Sequence, residues 1–113
     1  MIYIVDIDQT ICLTPYVDGK HRYDLSVPIY HRIEEINKLY DQGHTIIYWT
    51  ARGSGSGLDW TELTTKQLYD WGCKFEEVRL GKPSYDVWID DKAVNDKQFF
   101  ALADQEFLGD NDE

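Results

Sequence analysis

The apolar positions of this chain switch repeatedly between the strand period and the helix period. Met1 to Ile7 is an apolar run, rich in β-branched and aromatic residues and broken by one acid. A strand buried on both faces has this pattern. Residues 11–27 carry no helical period. Within them Tyr16-Val17-Asp18-Gly19-Lys20-His21-Arg22-Tyr23 sets an Asp-Gly turn between short polar-aromatic arms, which predicts a β-hairpin flap. Ser26-Val27-Pro28 then predicts a helix start, with Ser26 as the cap and Pro28 in the first turn. Ile29, Ile33, Ile36, Leu39 and Tyr40 follow at helical spacing, and Gly43 supplies the left-handed end.

The alternation continues to the last helix. His44 to Thr50 predicts a second buried strand, and the three glycines of Ala51–Gly57 predict an irregular loop. That loop lacks the Gly-Lys-Ser/Thr ending of a phosphate-binding P-loop and the glycine spacing of a dinucleotide fingerprint. Asp59 with Glu62 predicts a capped helix running to about Trp71 and ended by Gly72. Phe75 to Leu80 predicts a short strand, Gly81–Ser84 a loop, and Asp86 to Asp91 another buried strand ending in two carboxylates. Asn95 or Asp96 can cap a last short helix through Phe99, Phe100 and Leu102. The tail from Asp104 to Glu113 has five acids and no base, and is expected to be frayed or solvated, without a function of its own. Strands alternating with helices predict an α/β fold: a single Rossmann-like parallel sheet flanked by helices, with the flap and no cap domain. Residues 1–103 form one domain on this reading, with 104–113 as a tail.

Composition narrows the class. The chain has 113 residues, 42% of them hydrophobic and 28% charged, within the range of a globular domain with one core. No apolar run is long enough for a membrane span, and nothing resembles a signal peptide, which predicts a cytoplasmic protein. The formal net charge of −10, from 21 acidic and 11 basic residues, disfavours nucleic acid as a partner. Cys12 and Cys73 have neither CxxC nor zinc spacing, and His21, His31 and His44 have no spacing that makes a site.

In parallel sheets ligands bind at the carboxyl ends of the strands. Asp6 and Asp8 lie at such an end, as do Thr50 with Arg52, Lys82, and Asp90 with Asp91. Carboxylates converging there need a cation among them, and oxygen-only ligands favour Mg²⁺ completed by a substrate phosphate. A strand-held carboxylate such as Asp6 can attack phosphorus to form an aspartyl-phosphate. Asp8, two residues on, would point the same way and could act as acid and base. Thr50, Lys82 and Arg52 could hold phosphoryl oxygens.

Asp6-x-Asp8-x-Thr10, Thr50 at a strand end, Lys82 in a Gly-Lys-Pro loop, and Ile89-Asp90-Asp91 after an apolar stretch resemble the four motifs of the haloacid dehalogenase superfamily of phosphohydrolases. They occur in the family's order and span Met1 to about Val94. The resemblance implies Asp6 as nucleophile, Asp8 as acid/base, and Thr50 and Lys82 as phosphate ligands. It implies Mg²⁺ held by Asp6, Asp8 through its carbonyl, and Asp90, with Asp91 close by. The surroundings of Thr50, Lys82 and Asp90 are most similar to small capless members linked to capsule or surface-polysaccharide synthesis. That implies a sugar phosphate or polysaccharide precursor as substrate, and an open site that a neighbouring subunit of a homo-oligomer could cover. A nucleotidase or polynucleotide-end phosphatase of the same fold is the alternative enzyme, and a phosphate-binding regulatory domain the alternative without turnover. Gln9 stands where the family usually has Gly or Asn, at a point where the backbone must turn sharply.

Overall fold

A computed structural model describes residues 1–111. In chain order the elements are β1 (Ile2–Val5), β2 (Cys12–Leu13), β3 (Tyr16–Val17), β4 (Lys20–His21), a 3-10 turn at Tyr23–Leu25, β5 (Val27–Pro28), α1 (Tyr30–Asp41), β6 (Thr45–Trp49), α2 (Thr61–Asp70), β7 (Glu77–Arg79), α3 (Asp96–Phe99) and α4 (Ala101–Asn111). The main sheet is parallel, in the order β1-β6-β7. Its register aligns Ile2 with Thr45 and Val5 with Tyr48, then Ile47 with Glu77 and Trp49 with Arg79. Two small antiparallel pairs, β2 with β5 and β3 with β4, form the base and tip of the flap. The chain is therefore α/β. No helix among the described residues is long and apolar enough to cross a membrane.

Side-chain alternation explains where the core lies. Val5, Ile46 and Tyr48 project to one face of the sheet and join Ile7, Ile11, Ile33 and Ile36 in one buried cluster with Leu68 and Phe100. Each such side chain contributes about 1.5–3 kcal/mol by leaving water. Asp18 and Gly19 both have positive φ, 51° and 76°, as a two-residue hairpin turn of this hand requires. Gly43, at φ 95°, ends α1, and the next N–H, that of His44, reaches back to the Leu39 carbonyl.

Four expectations need correction. β1 is not buried on both faces: Ile2 is 70% and Ile4 58% exposed, because only the α1 side of the strand is covered. Ser26 does not cap α1, which begins at Tyr30 without a side-chain cap. Val27 and Pro28 pair with β2 instead, and the Ser26 hydroxyl turns to Thr14 and Arg52. Residues 86–91 form no strand, and Val87 and Ile89 are 74% and 93% exposed. An apolar run becomes a strand only where a neighbouring strand is within reach, and this one has none. Finally, most of the acidic tail is helical. α4 docks on α1 through Asp104, which accepts from Arg32 Nη2 at 2.7 Å and pairs with His31 Nε2 at 2.6 Å. Arg32 also bonds Asp96, so one guanidinium ties α1 to both α3 and α4. The expected tail's last two residues, 112 and 113, lie outside the described residues.

Candidate active site

β1 delivers Asp6 to the carboxyl end of the sheet, and the chain then turns tightly. Gln9 adopts φ 62°, a left-handed conformation that costs a side-chain-bearing residue about 1–2 kcal/mol. Its side chain offsets that cost. The amide oxygen accepts from the Thr14 N–H at 3.2 Å, and the amide nitrogen donates to the Thr14 carbonyl at 3.3 Å. The departure from Gly or Asn thus stitches the turn to the flap base. Gln9→Ala keeps the strain and loses both bonds, so it is expected to lose about 1–3 kcal/mol. Gln9→Gly relieves the strain and should stay within about 1 kcal/mol of the parent. Urea unfolding of the two variants checks this, and an Ala variant as stable as the Gly one would refute the strain argument.

Asp6 faces Lys82, whose Nζ lies 3.5 Å from its Oδ1, and Thr10 Oγ1 donates to its Oδ2 at 3.3 Å. Burial pushes the Asp6 carboxyl above its ordinary value. The Lys82 charge and the Ile7 N–H only partly oppose this, and neighbouring Asp8 adds to it. Lys82 is held by its own backbone, whose N–H donates to the Thr50 carbonyl at 3.1 Å. Its ammonium lies over the rings of Tyr85 and Trp88, 5.2 and 5.8 Å from their centroids.

Asp8 sits in a different environment. Arg52 grips both of its oxygens, Nε to Oδ2 at 3.0 Å and Nη2 to Oδ1 at 2.8 Å. Thr14 Oγ1 and Cys12 Sγ donate to Oδ1 as well. Burial again raises the carboxyl, but the Arg52 bonds and charge with the Thr14 bond outweigh it, so Asp8 lies below its ordinary value. Arg52 is only 2% exposed. Its remaining N–H groups go to Thr64 Oγ1 at 3.2 Å, Gln67 Oε1 at 2.6 Å and Ser26 Oγ at 3.3 Å. Its plane also covers the Tyr23 ring at 4.8 Å. The guanidinium is fully used inside the protein. It therefore positions Asp8, and the expectation of Arg52 as a substrate-phosphate contact is corrected on that ground. Sequence patterning singles out none of Thr14, Thr64 and Gln67, and Ser26 and Tyr23 only as a helix cap and a flap residue. A visible signal existed for two of them: Thr64 and Gln67 are polar residues three apart, beside Leu68 on the inward face of α2.

Thr50 is buried. Its hydroxyl accepts from the Arg52 N–H at 3.1 Å, and its own N–H donates to the Arg79 carbonyl at 2.9 Å. It ties the two loops that flank the site. The 51–57 loop cannot open freely. A Cβ on Gly53 would fall 2.1 Å from the Leu58 carbonyl oxygen, and Ser54 Oγ donates to the Lys82 carbonyl at 2.6 Å. Asp6, Asp8, Arg52 and Lys82 line a cleft of about 580 Å³ together with His21 of the flap tip and Tyr23, Trp60 and Tyr85.

The expected Mg²⁺ ligands are not all brought together. Asp6 and Asp8 share the cleft, but Asp90 and Asp91 lie on the exposed 86–91 segment. There Asp90 accepts from the Lys92 N–H at 2.8 Å. Among the described residues no three His, Cys, Asp or Glu side chains gather closely enough to hold a metal ion. Mg²⁺ seeks near-octahedral oxygen coordination. The donors one chain offers here fall short of it, since the Asp8 carboxylate is committed to Arg52.

No protein-family model matches this chain, and no curated protein matches its sequence. A crystal structure of a structural-genomics target from Vibrio cholerae is similar in fold, with a TM-score of 0.73 over 99% of this chain and 98% of that one. The two are 22% identical, so the similarity speaks for the fold alone.

Proposed function

We propose that the protein is a Mg²⁺-dependent phosphomonoester hydrolase of the haloacid dehalogenase type, with a Rossmann-like core, acting through an aspartyl-phosphate on Asp6. The observation that carries this reading is the pairing of Asp6 with Lys82 at the end of β1, at the floor of a cleft large enough for a small phosphorylated molecule. Asp6 would attack phosphorus and displace the ester oxygen. Water would then attack the phosphoryl-Asp6, releasing phosphate and restoring the carboxylate. Lys82 offers a positive charge where the phosphoryl oxygens would gather. A divalent ion would relieve the repulsion between the Asp6 anion and an incoming dianion, and holding it needs donors beyond those that the described residues of one chain bring to the cleft. The rings of Tyr23, Trp60 and Tyr85 on the cleft wall suit the apolar faces of a sugar, which supports a sugar phosphate or polysaccharide precursor as substrate. The test is capture of the intermediate. Acid-quenched turnover of an aryl phosphate with Mg²⁺ should leave a phosphorylated peptide containing Asp6. Steady turnover without one, or with the label elsewhere, overturns the mechanism.

The grip of Arg52 on Asp8 gives the acid/base role a direction. A carboxylate held as an anion is seldom protonated at neutral pH, so it rarely has a proton to give to a leaving oxygen. Esters whose leaving oxygen needs no proton should therefore be the faster substrates. Asp8→Asn is expected to lower kcat for an alkyl phosphate at least about tenfold more than for a nitrophenyl phosphate. Parallel kcat measurements on the two esters check this, and equal losses would remove Asp8 from leaving-group protonation.

A further inference from the structure

β1 lies at the edge of its sheet. Its only strand partner among the described residues is β6, and Ile2 and Ile4 are exposed beside the open edge. The same chain carries an apolar segment, residues 86–90, that pairs with no strand and exposes Val87 and Ile89. A sheet edge without a neighbour and a strand-like segment without a sheet thus coexist. The accessible surface, 7818 Å², exceeds the roughly 6,500 Å² typical of a compact monomer of this mass. The excess is larger than the about 800 Å² that one partner commits to a stable interface.

The chain cannot satisfy itself. Six residues, Leu80 to Tyr85, separate β7 from Asp86. A parallel connection must return to the amino end of the sheet, which takes a dozen residues or more. Lys82, in the middle of this connection, is held at the carboxyl end by Thr50 and Asp6. A second copy is under no such constraint.

We propose that two copies of this chain exchange their C-terminal segments, residues 86–90 of each adding as a parallel strand beside β1 of the other. With Asp90 beside Asp6, Val87 and Ile89 turn to the covered face next to Tyr3 and Val5, and Trp88 turns to the open face next to Ile4. α3 and α4 follow. Within one chain Arg32 bonds Asp96, Asp104 and the Thr10 carbonyl; in the exchanged pair the same bonds would form between copies and hold α3 beside the Asp6–Thr10 turn of the copy that receives the strand. The exchange is two-fold and self-complementary. It places Asp90 and Asp91 of one copy at Asp6 and Asp8 of the other, completing an acidic group that one chain leaves open. This last step rests on the phosphatase reading; the exchange itself does not.

Two experiments separate them. In the double variant Ile4→Cys with Trp88→Cys, oxidation should join two chains, giving a covalent species of twice the 13.3 kDa chain mass on a non-reducing gel. Native Cys12 and Cys73 are buried and should not compete. A disulfide closed within one chain, or no disulfide at all, overturns the exchange. Second, Asp6→Asn and Asp90→Asn copies, each inactive alone, are co-expressed with different tags. Exchange leaves one intact site in each mixed dimer, so about a quarter of the parent turnover and of its Mn²⁺ binding by calorimetry should return. No return, with an active parent, overturns the shared site. A parent that binds Mn²⁺ but turns over no phosphate ester refutes the phosphatase reading, while the cross-link still decides the exchange.

Discussion

Asp6→Asn should abolish turnover of phosphate esters, by on the order of a thousandfold or more, while leaving the protein at least as stable as the parent. The two halves of this expectation have one origin. The amide has the shape of the carboxylate but neither its charge nor its nucleophilic oxygen, so the proposed attack on phosphorus would have no agent. Stability moves the other way because burial raises the Asp6 carboxyl, with Lys82 opposing it only in part. A folded-state value above the unfolded one means the native state disfavours the anion. At neutral pH the ionised Asp6 therefore lowers stability, and the loss is recovered as pH falls through the raised value. Asn removes that penalty permanently. Its midpoint of thermal unfolding should match or exceed the parent's at pH 7, and the two should converge in acid. Calorimetry at pH 7 and pH 4, beside kcat on an aryl phosphate, reads both. A variant that is inactive because it unfolds would instead assign Asp6 to the scaffold.

The sheet was legible because its strands obey local rules. Ile2–Val5, Thr45–Trp49 and Glu77–Arg79 lie within the apolar runs expected, and the Asp18–Gly19 turn needs only two residues to specify its hand. Residues 86–91 have the same texture as His44–Thr50, yet only the latter became a strand. The difference is reach: β6 follows a helix that carries the chain back along the sheet, whereas six residues after β7 cannot. That count was present in the sequence, but periodicity does not register it. Ser26 and the acidic tail were misread for a related reason. A Ser before a Pro looks like a cap, and five acids look solvated, until a distant Arg claims the Ser in one case and a single acid in the other. Arg52 claims Ser26, and Arg32 claims Asp104, across 26 and 72 positions of chain.

Arg52 makes the same point at the candidate site. Beside a glycine-rich loop it resembled a mobile ligand for phosphate, and only the fold shows it sealed between α2, the flap and Asp8. Asp6 and Asp8 are two residues apart, yet their environments push them in opposite directions. Lys82 lies on a solvent-lined cleft and offsets burial only partly. Arg52 is desolvated and bidentate, and together with the Thr14 and Cys12 bonds it more than offsets burial. On the proposed reading this division is the reverse of the usual one, in which the proton donor's value is raised and the attacking carboxylate stays ionised.

The largest structural effect should therefore follow from Arg52→Met, which is expected to destabilise the protein by about 3–5 kcal/mol at pH 7. Met fills much of the volume but leaves the Asp8 anion buried without its partner, and leaves Thr64 and Gln67 with acceptors that nothing reaches. That is a large part of the about 5–15 kcal/mol available to a domain of this size. The pH dependence identifies the cause. In the parent, Asp8 lies below its unfolded value, so its contribution is fully present above the unfolded value, near 3.9, and is lost as pH falls through the depressed one. Without Arg52, only the Thr14 and Cys12 hydrogen bonds oppose burial, and Asp8 should move up. The variant should then gain stability relative to the parent on acidification, and the gap seen at pH 7 should narrow below about pH 4. Arg52→Lys, which keeps a charge but not the fork, should fall between the two. Urea unfolding of all three proteins across this range is the measurement. A deficit that stayed constant with pH would mean that lost packing, not the stranded Asp8 charge, destabilises the fold.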